Sequence, residues 1–190
     1  MAGARVEVTV DLSQALAGTG RLQQGLGGPP QLLVMLGEYL LRSTKDRFKS
    51  QTSPEGQPWQ ALSPRYLKRK RKNKDKILTR DGFLQQQMAY QLDGGDAVLV
   101  GSSRKYAAIH QFGGKIDQPA RQTEVFFQRN EKTNQVGRLF VKKSKSNFAQ
   151  QAQVGPYKVT IPARPFLGVS DTDRSELVDI TMDFVNTLLE

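Results

Sequence analysis

The sequence predicts an α+β fold: a mostly antiparallel sheet packed by N-terminal and C-terminal helices, with a projecting β-arm at about residues 115–160. Three patterns carry that reading. Val6, Val8 and Val10 alternate with Glu7, Thr9 and Asp11, the period of a strand with one buried face. Leu32, Leu36, Tyr39 and Leu40 share one helical stripe, and Leu177, Ile180, Phe184 and Leu188 form another near the end of the chain. Asp93-Gly94-Gly95-Asp96 separates two short apolar runs, 89–92 and 97–100, and its glycines permit the positive φ of a hairpin turn.

In order along the chain, the opening strand leads into a glycine-punctured connection from Leu12 to Gly28, in which Ser13–Ala17 has the composition of one short helix. Pro29-Pro30 then opens the first long helix, because proline has no amide to lose there and its φ is preset. Leu33 and Met35 flank its stripe, while Arg42, Lys45, Asp46 and Lys49 take other faces. Ser53, held extended by Pro54, ends the helix near Gln51. Thr52–Gly56 is a turn by composition. Ser63-Pro64 starts a short helix, with serine as cap and proline at the first helical position.

That helix runs into Arg65–Lys76, where eight of twelve residues are basic and one is acidic. Such charge density repels itself and is expected to stay solvated. Thr79–Gln87 is expected to be helical with Phe83, Leu84 and Met88 turned inward, and Lys105–Phe112 to be a helical segment closed by Gly113-Gly114. Gln122–Arg129, Arg138–Val141 and Tyr157–Ile161 are expected strands of the arm, joined by links rich in Gln, Asn, Lys and Ser that order on contact with partners. Ser170 or Asp171 caps the final helix, and Asp173 and Glu176 suit its positive N-terminal end.

Composition narrows function by exclusion. The chain of 190 residues has no cysteine, so disulfide scaffolds, thiol nucleophiles and cysteine metal sites drop out. No stretch approaches the roughly 18 apolar residues of a membrane helix, and the N-terminus lacks the apolar core of a secretion signal. A formal charge of +10 favours an anionic neighbour, either packaged DNA or an acidic protein surface.

Catalytic patterns are sparse. His110 is the single histidine, and no spacing pairs it with a plausible serine nucleophile, so a packed histidine competes with a general base. Asp171 and Asp173 open a helix and read as caps rather than metal ligands, and there is no phosphate-cradling glycine loop or dinucleotide fingerprint. No cofactor is expected. Trp59, the one tryptophan, is either a core anchor or a contact residue.

Several blocks then align with one family. Arg47-Phe48 followed by Pro54-Glu55-Gly56-Gln57-Pro58-Trp59-Gln60-Ala61-Leu62-Ser63 resembles a block of the phage virion morphogenesis family. The resemblance continues through Ile77-Leu78, Asp81–Leu84 and Val100-Gly101. It is strongest at Tyr106-Ala107-Ala108-Ile109-His110-Gln111-Phe112-Gly113-Gly114 and at Ile161-Pro162-Ala163-Arg164-Pro165-Phe166-Leu167-Gly168. Arg80-Asp81-Gly82-Phe83 departs from the family, which more often shows a small or hydroxylated residue before the glycine, and this bears on local packing alone.

The resemblance implies a single structural domain over 1–190, not an enzyme, that completes the tail or the head–tail joint of a phage. It implies copies of the chain in a ring, tail tube, sheath or neck proteins as partners, and a place in the virion after assembly in the host cytoplasm. A basic protein on packaged DNA and a head-stabilising or joining protein are the alternatives. The candidate interaction residues are Trp59, Lys68, Arg69, Lys70, Arg71, Lys72, His110, Gln111, Phe112, Arg164 and Phe166.

Overall fold

A computed structural model describes residues 4–9 and 30–189. The short helix expected at Ser13–Ala17 lies outside them, and the side chains of Val6, Val8, Val10 and Leu188 lie outside the described side chains. The chain divides into two compact units, Met1–Gly114 with Pro162–Glu190, and Lys115–Ile161.

The first unit is built on a three-stranded antiparallel sheet. Strand β1 (Ala4–Thr9) and strand β2 (Met88–Asp93) flank β3 (Ala97–Ser102). The register runs from Met88 opposite Ser102 to Asp93 opposite Ala97, so the expected diglycine turn joins β2 to β3, with Gly94 at φ 64°. On β1 the register runs from Ala4 opposite Ser102 to Thr9 opposite Ala97. Because β3 is central, it buries residues on both faces, among them Ala97, Val98 and Val100.

Helix α1 (Pro30–Ser50) packs on β2 and β3. Leu32, Leu33, Leu36 and Leu40 are buried along it, as the stripe requires. Gly37 lies where the helix crosses the sheet. A Cβ there would stand 2.7 Å from Tyr90 Cδ2 and 2.9 Å from Val98 Cγ2, so glycine buys the close approach at some cost in helix propensity. The helix ends at Ser50, and Gln51 turns the chain with φ 60°.

Helix α2 (Pro64–Arg69) starts as expected, with Ser63 Oγ accepting from Tyr66 N. Helix α3 is shorter than expected. It spans only Phe83–Gln86, because Leu78 (φ 57°) and Gly82 (φ 83°) interrupt the backbone before it. Leu84 and Met88 are buried as expected, and Met88 opens β2. Phe83 is exposed instead, its ring 5.3 Å from the Arg104 guanidinium. Helix α4 starts at Ala107 rather than Lys105 and runs to Phe112, closed by Gly113 at φ 73°.

The second unit contains paired ribbons. Strand β4 (Gly114–Gln118) pairs with β7 (Tyr157–Ile161), and β5 (Arg121–Phe127) pairs antiparallel with β6 (Phe148–Val154). Arg138–Val141, expected as a strand, is irregular, and the partner of β5 is the more polar Phe148–Val154. A ribbon that buries neither face needs no apolar alternation, so backbone pairing overrides the side-chain pattern. All of residues 115–161 are described, and none of them is buried.

Helix α5 (Asp171–Leu189) closes the chain. It packs chiefly against α1, and its Leu177 also meets the core that includes Met88 and Val100 of the sheet. Its start is a reciprocal cap: Asp173 N donates to Ser170 Oγ at 3.0 Å, and Ser170 N donates to Asp173 Oδ2 at 2.7 Å.

Candidate functional site

The aligned blocks of the sequence meet around one strap, Pro162–Gly168. Its prolines remove two amide donors and stiffen the backbone, so the strap cannot join a sheet ladder. Its remaining polar groups must find side-chain partners. Gln111 supplies several of them. Its Oε1 accepts from Phe166 N and Leu167 N, each at 3.0 Å, and its Nε2 donates to Leu167 O at 2.9 Å. Arg164 N donates to His110 O at 2.7 Å. Trp59 Nε1 donates to Pro165 O at 2.7 Å.

Arginines fix the two ends of the strap. Arg164 Nε donates to Gln60 O at 2.8 Å, with a longer bond from Nη2 to Ala61 O at 3.3 Å. Arg47 Nη1 donates to Gly168 O at 2.8 Å and to Phe166 O at 3.2 Å. Beneath, the Phe166 ring lies 5.4 Å from Phe48, which meets Trp59 edge-on at 5.5 Å. Gly168 carries φ 151°, and a Cβ there would come within 2.6 Å of Pro54 Cγ.

Arg47 also reaches Asp173, and this buried ion pair joins α1 to the start of α5. The Asp173 carboxylate further accepts from Ser43 Oγ at 2.5 Å, Tyr39 Oη at 3.1 Å, and Ser170 Oγ at 2.6 Å. Burial raises the Asp173 pKa, but the Ser170 and Ser43 bonds and the Arg47 charge outweigh it, and the carboxyl sits below its ordinary value. Tyr39 is pushed up to about 12, by burial first and then by Asp173. Sequence reasoning treated Asp173 as a helix-end charge and Arg47 as a motif residue. The available signal was position, since Arg47 directly precedes buried Phe48 at the end of a leucine stripe, and a buried arginine requires a partner.

The node holds backbone. His110 is half-buried, its ring edge-on to Tyr106 at 6.0 Å, and its Nδ1 has no hydrogen-bond partner. Burial, and then the nearby Arg164 charge, lower its pKa, which favours neutral imidazole. Among the described residues, no cluster of acidic and histidine side chains is arranged to hold a metal ion.

The candidate residues thus fall in different places. Trp59, Arg164 and Phe166 are buried in the node, and His110 and Gln111 are half-buried beside it. Phe112 projects with 73% exposure. Lys68, Arg69, Arg71 and Lys72 are exposed along the basic segment. Lys70 departs from the expected solvated face and is buried at 4% exposure. Its ammonium donates to Lys76 O and closes the loop 70–76 from inside. Burial lowers the Lys70 pKa, against a smaller opposing pull from Asp75. Lys70→Ala is expected to cost about 1–3 kcal/mol, because the Lys76 carbonyl loses its partner. Arg71→Ala should stay within about 0.5 kcal/mol. Urea denaturation checks the energies, and faster tryptic cutting of the loop in Lys70→Ala checks the mechanism.

The sequence pattern described as the phage virion morphogenesis family matches residues 10–186. The chain is 27% identical over 154 residues to a protein named putative capsid assembly protein G, from Escherichia phage Mu, covering 79% of this chain and 75% of that one. No solved structure matches it.

Proposed function

Since the chain belongs to the phage virion morphogenesis family, we propose that it is a structural, non-catalytic protein that completes the tail or the head–tail joint as a ring of copies. The observation that carries this is the second unit. Forty-seven residues, Lys115–Ile161, fold into ribbons without burying a side chain. An isolated two-stranded ribbon is marginal in water, so this unit gains its stability by covering surface in an assembly. The strap supports the same reading. The family blocks hold the backbone of the first unit in place. The name of the Mu relative places that protein in capsid assembly, which favours the same class of role.

In this reading the copies dock head to tail, and the rotation between neighbours closes. Tail tube, sheath or neck proteins are the partners, and the protein works in the host cytoplasm before entering the virion. No helix among the described residues is long and apolar enough to cross a membrane. A second reading, contact with packaged DNA, is favoured by the exposed cations Lys68, Arg69, Arg71 and Lys72. It adds a contact to the ring without replacing it.

Electron microscopy of a lysate with only this gene inactivated tests the role. Full heads beside unattached or irregular tails are expected. Normal joined particles would overturn the completion role.

A further inference from the structure

The two units carry exposed apolar patches with opposite charge around them. In the second unit, Leu139 and Phe140 are 80% and 74% exposed. They sit in Arg138–Lys145, which holds four basic residues and no acidic one. The segment is presented in a fixed place. Val141 N donates to Phe126 O at 2.9 Å, Phe140 lies 5.2 Å from the Phe127 ring, and Lys143 Nζ lies 5.8 Å over Phe126. Two adjacent large apolar side chains held outward in this way mark a contact surface.

Helix α5 carries the counterpart. Val178 and Met182, one turn apart, are 60% and 56% exposed. The helix holds five acidic residues and one basic residue. Asp173 is consumed by the buried pair with Arg47, which leaves Asp171, Glu176, Asp179 and Asp183 exposed. Like with like would repel at either face, because the second unit has nine basic and three acidic residues.

We infer that the Leu139–Phe140 patch of one copy docks on the Val178–Met182 face of α5 in a second copy of this chain. The pairing rests on the ring reading above and deepens it by naming the two faces. It is head to tail, since each copy presents one basic-rimmed and one acid-rimmed patch, which is the arrangement a ring requires. The apolar pairs exclude water, and the charged rims set orientation and suppress the wrong pairing of like faces.

The test uses two full-length variants with folding checked by circular dichroism. One carries Asp179→Lys and Asp183→Lys, so both of its faces are basic. The other carries Arg138→Glu, Lys142→Glu and Lys145→Glu, which makes its second-unit rim acidic and leaves Lys143 on Phe126. Mass is read by light scattering over a dilution series. The wild-type chain is expected to associate, less so as salt rises. Each variant alone is expected to remain monomeric, and an equimolar mixture to recover the wild-type mass, because each altered face meets a complementary one. Variants that assemble as the wild type does would overturn the pairing, leave the ring reading standing, and give these patches to another partner. A mixture that stays monomeric would also overturn the pairing. A wild-type chain that stays monomeric at every concentration would overturn both.

Discussion

Replacing Arg47 by alanine is expected to cost the first unit about 3–5 kcal/mol, the usual penalty for removing one partner of a buried ion pair. Asp173 would keep its charge in a buried place with only hydroxyls and an amide to hold it. The strap would lose the donor to Phe166 O and Gly168 O at the same stroke. For a chain of this size the melting temperature should fall by roughly 10 °C. Asp173→Asn keeps the shape and one acceptor oxygen of the two, removes the buried charge, and leaves Arg47 its two carbonyls, so a smaller loss is expected. The same node fixes the response to pH. Asp173 is depressed in the folded state, so its contribution is fully present above the unfolded value, about 3.9. It is lost as pH falls through the folded value. Tyr39 works on the alkaline side. Its folded pKa is raised to about 12, so its contribution holds below the unfolded value of about 10 and is lost as pH climbs between the two. Denaturation curves at a series of pH values should therefore show a flatter acid limb in Asp173→Asn and a flatter alkaline limb in Tyr39→Phe. An Arg47→Ala chain as stable as the wild type would mean that the ion pair contributes nothing beyond its own desolvation.

How much of this was legible in the sequence depends on whether the deciding interaction is local. Helix α1 and the 88–102 hairpin were legible because Pro29-Pro30, Ser53-Pro54 and Gly94-Gly95 act through their own backbone. The start of α5 was legible for the same reason, as Ser170 and Asp173 are neighbours on one turn. Strand β6 was not, since Ala149-Gln150-Gln151-Ala152-Gln153 has no apolar alternation and takes its conformation from β5, some twenty residues distant. Arg138–Val141 shows the opposite failure, an apolar run that a local reading makes a strand although its side chains face outward. At the site, the resemblance marked Arg47 and Trp59 in one block, Gln111 in a second and Arg164 in a third. That they converge on one strap is a long-range fact, carried by side-chain bonds to backbone carbonyls more than fifty positions away. No periodicity encodes it.

Phe166→Ala is the second large loss to expect, about 3–5 kcal/mol, because it empties a wholly buried ring site. Phe48 lies tilted against that ring at 48° and is itself braced by Trp59, so the cavity has little room to collapse. The strap above would still be tied by Gln111 and Arg47, and these bonds keep its path. The loss should thus appear in stability and much less in the position of residues 162–168, which hydrogen exchange at Phe166 and Leu167 can follow. Trp59→Phe makes the matching test of the polar part. It keeps an aromatic ring but leaves Pro165 O without its donor, for about 1–3 kcal/mol. Phe112 separates core from contact, because its ring is exposed and supports nothing inside the first unit. Phe112→Ala should change stability by no more than about 0.5 kcal/mol. If Phe112 serves subunit contact, the same variant should assemble poorly while melting like the wild type. If it assembles normally, the family block around it is explained by the structural roles of His110, Gln111 and Gly113, and the contact surface lies elsewhere.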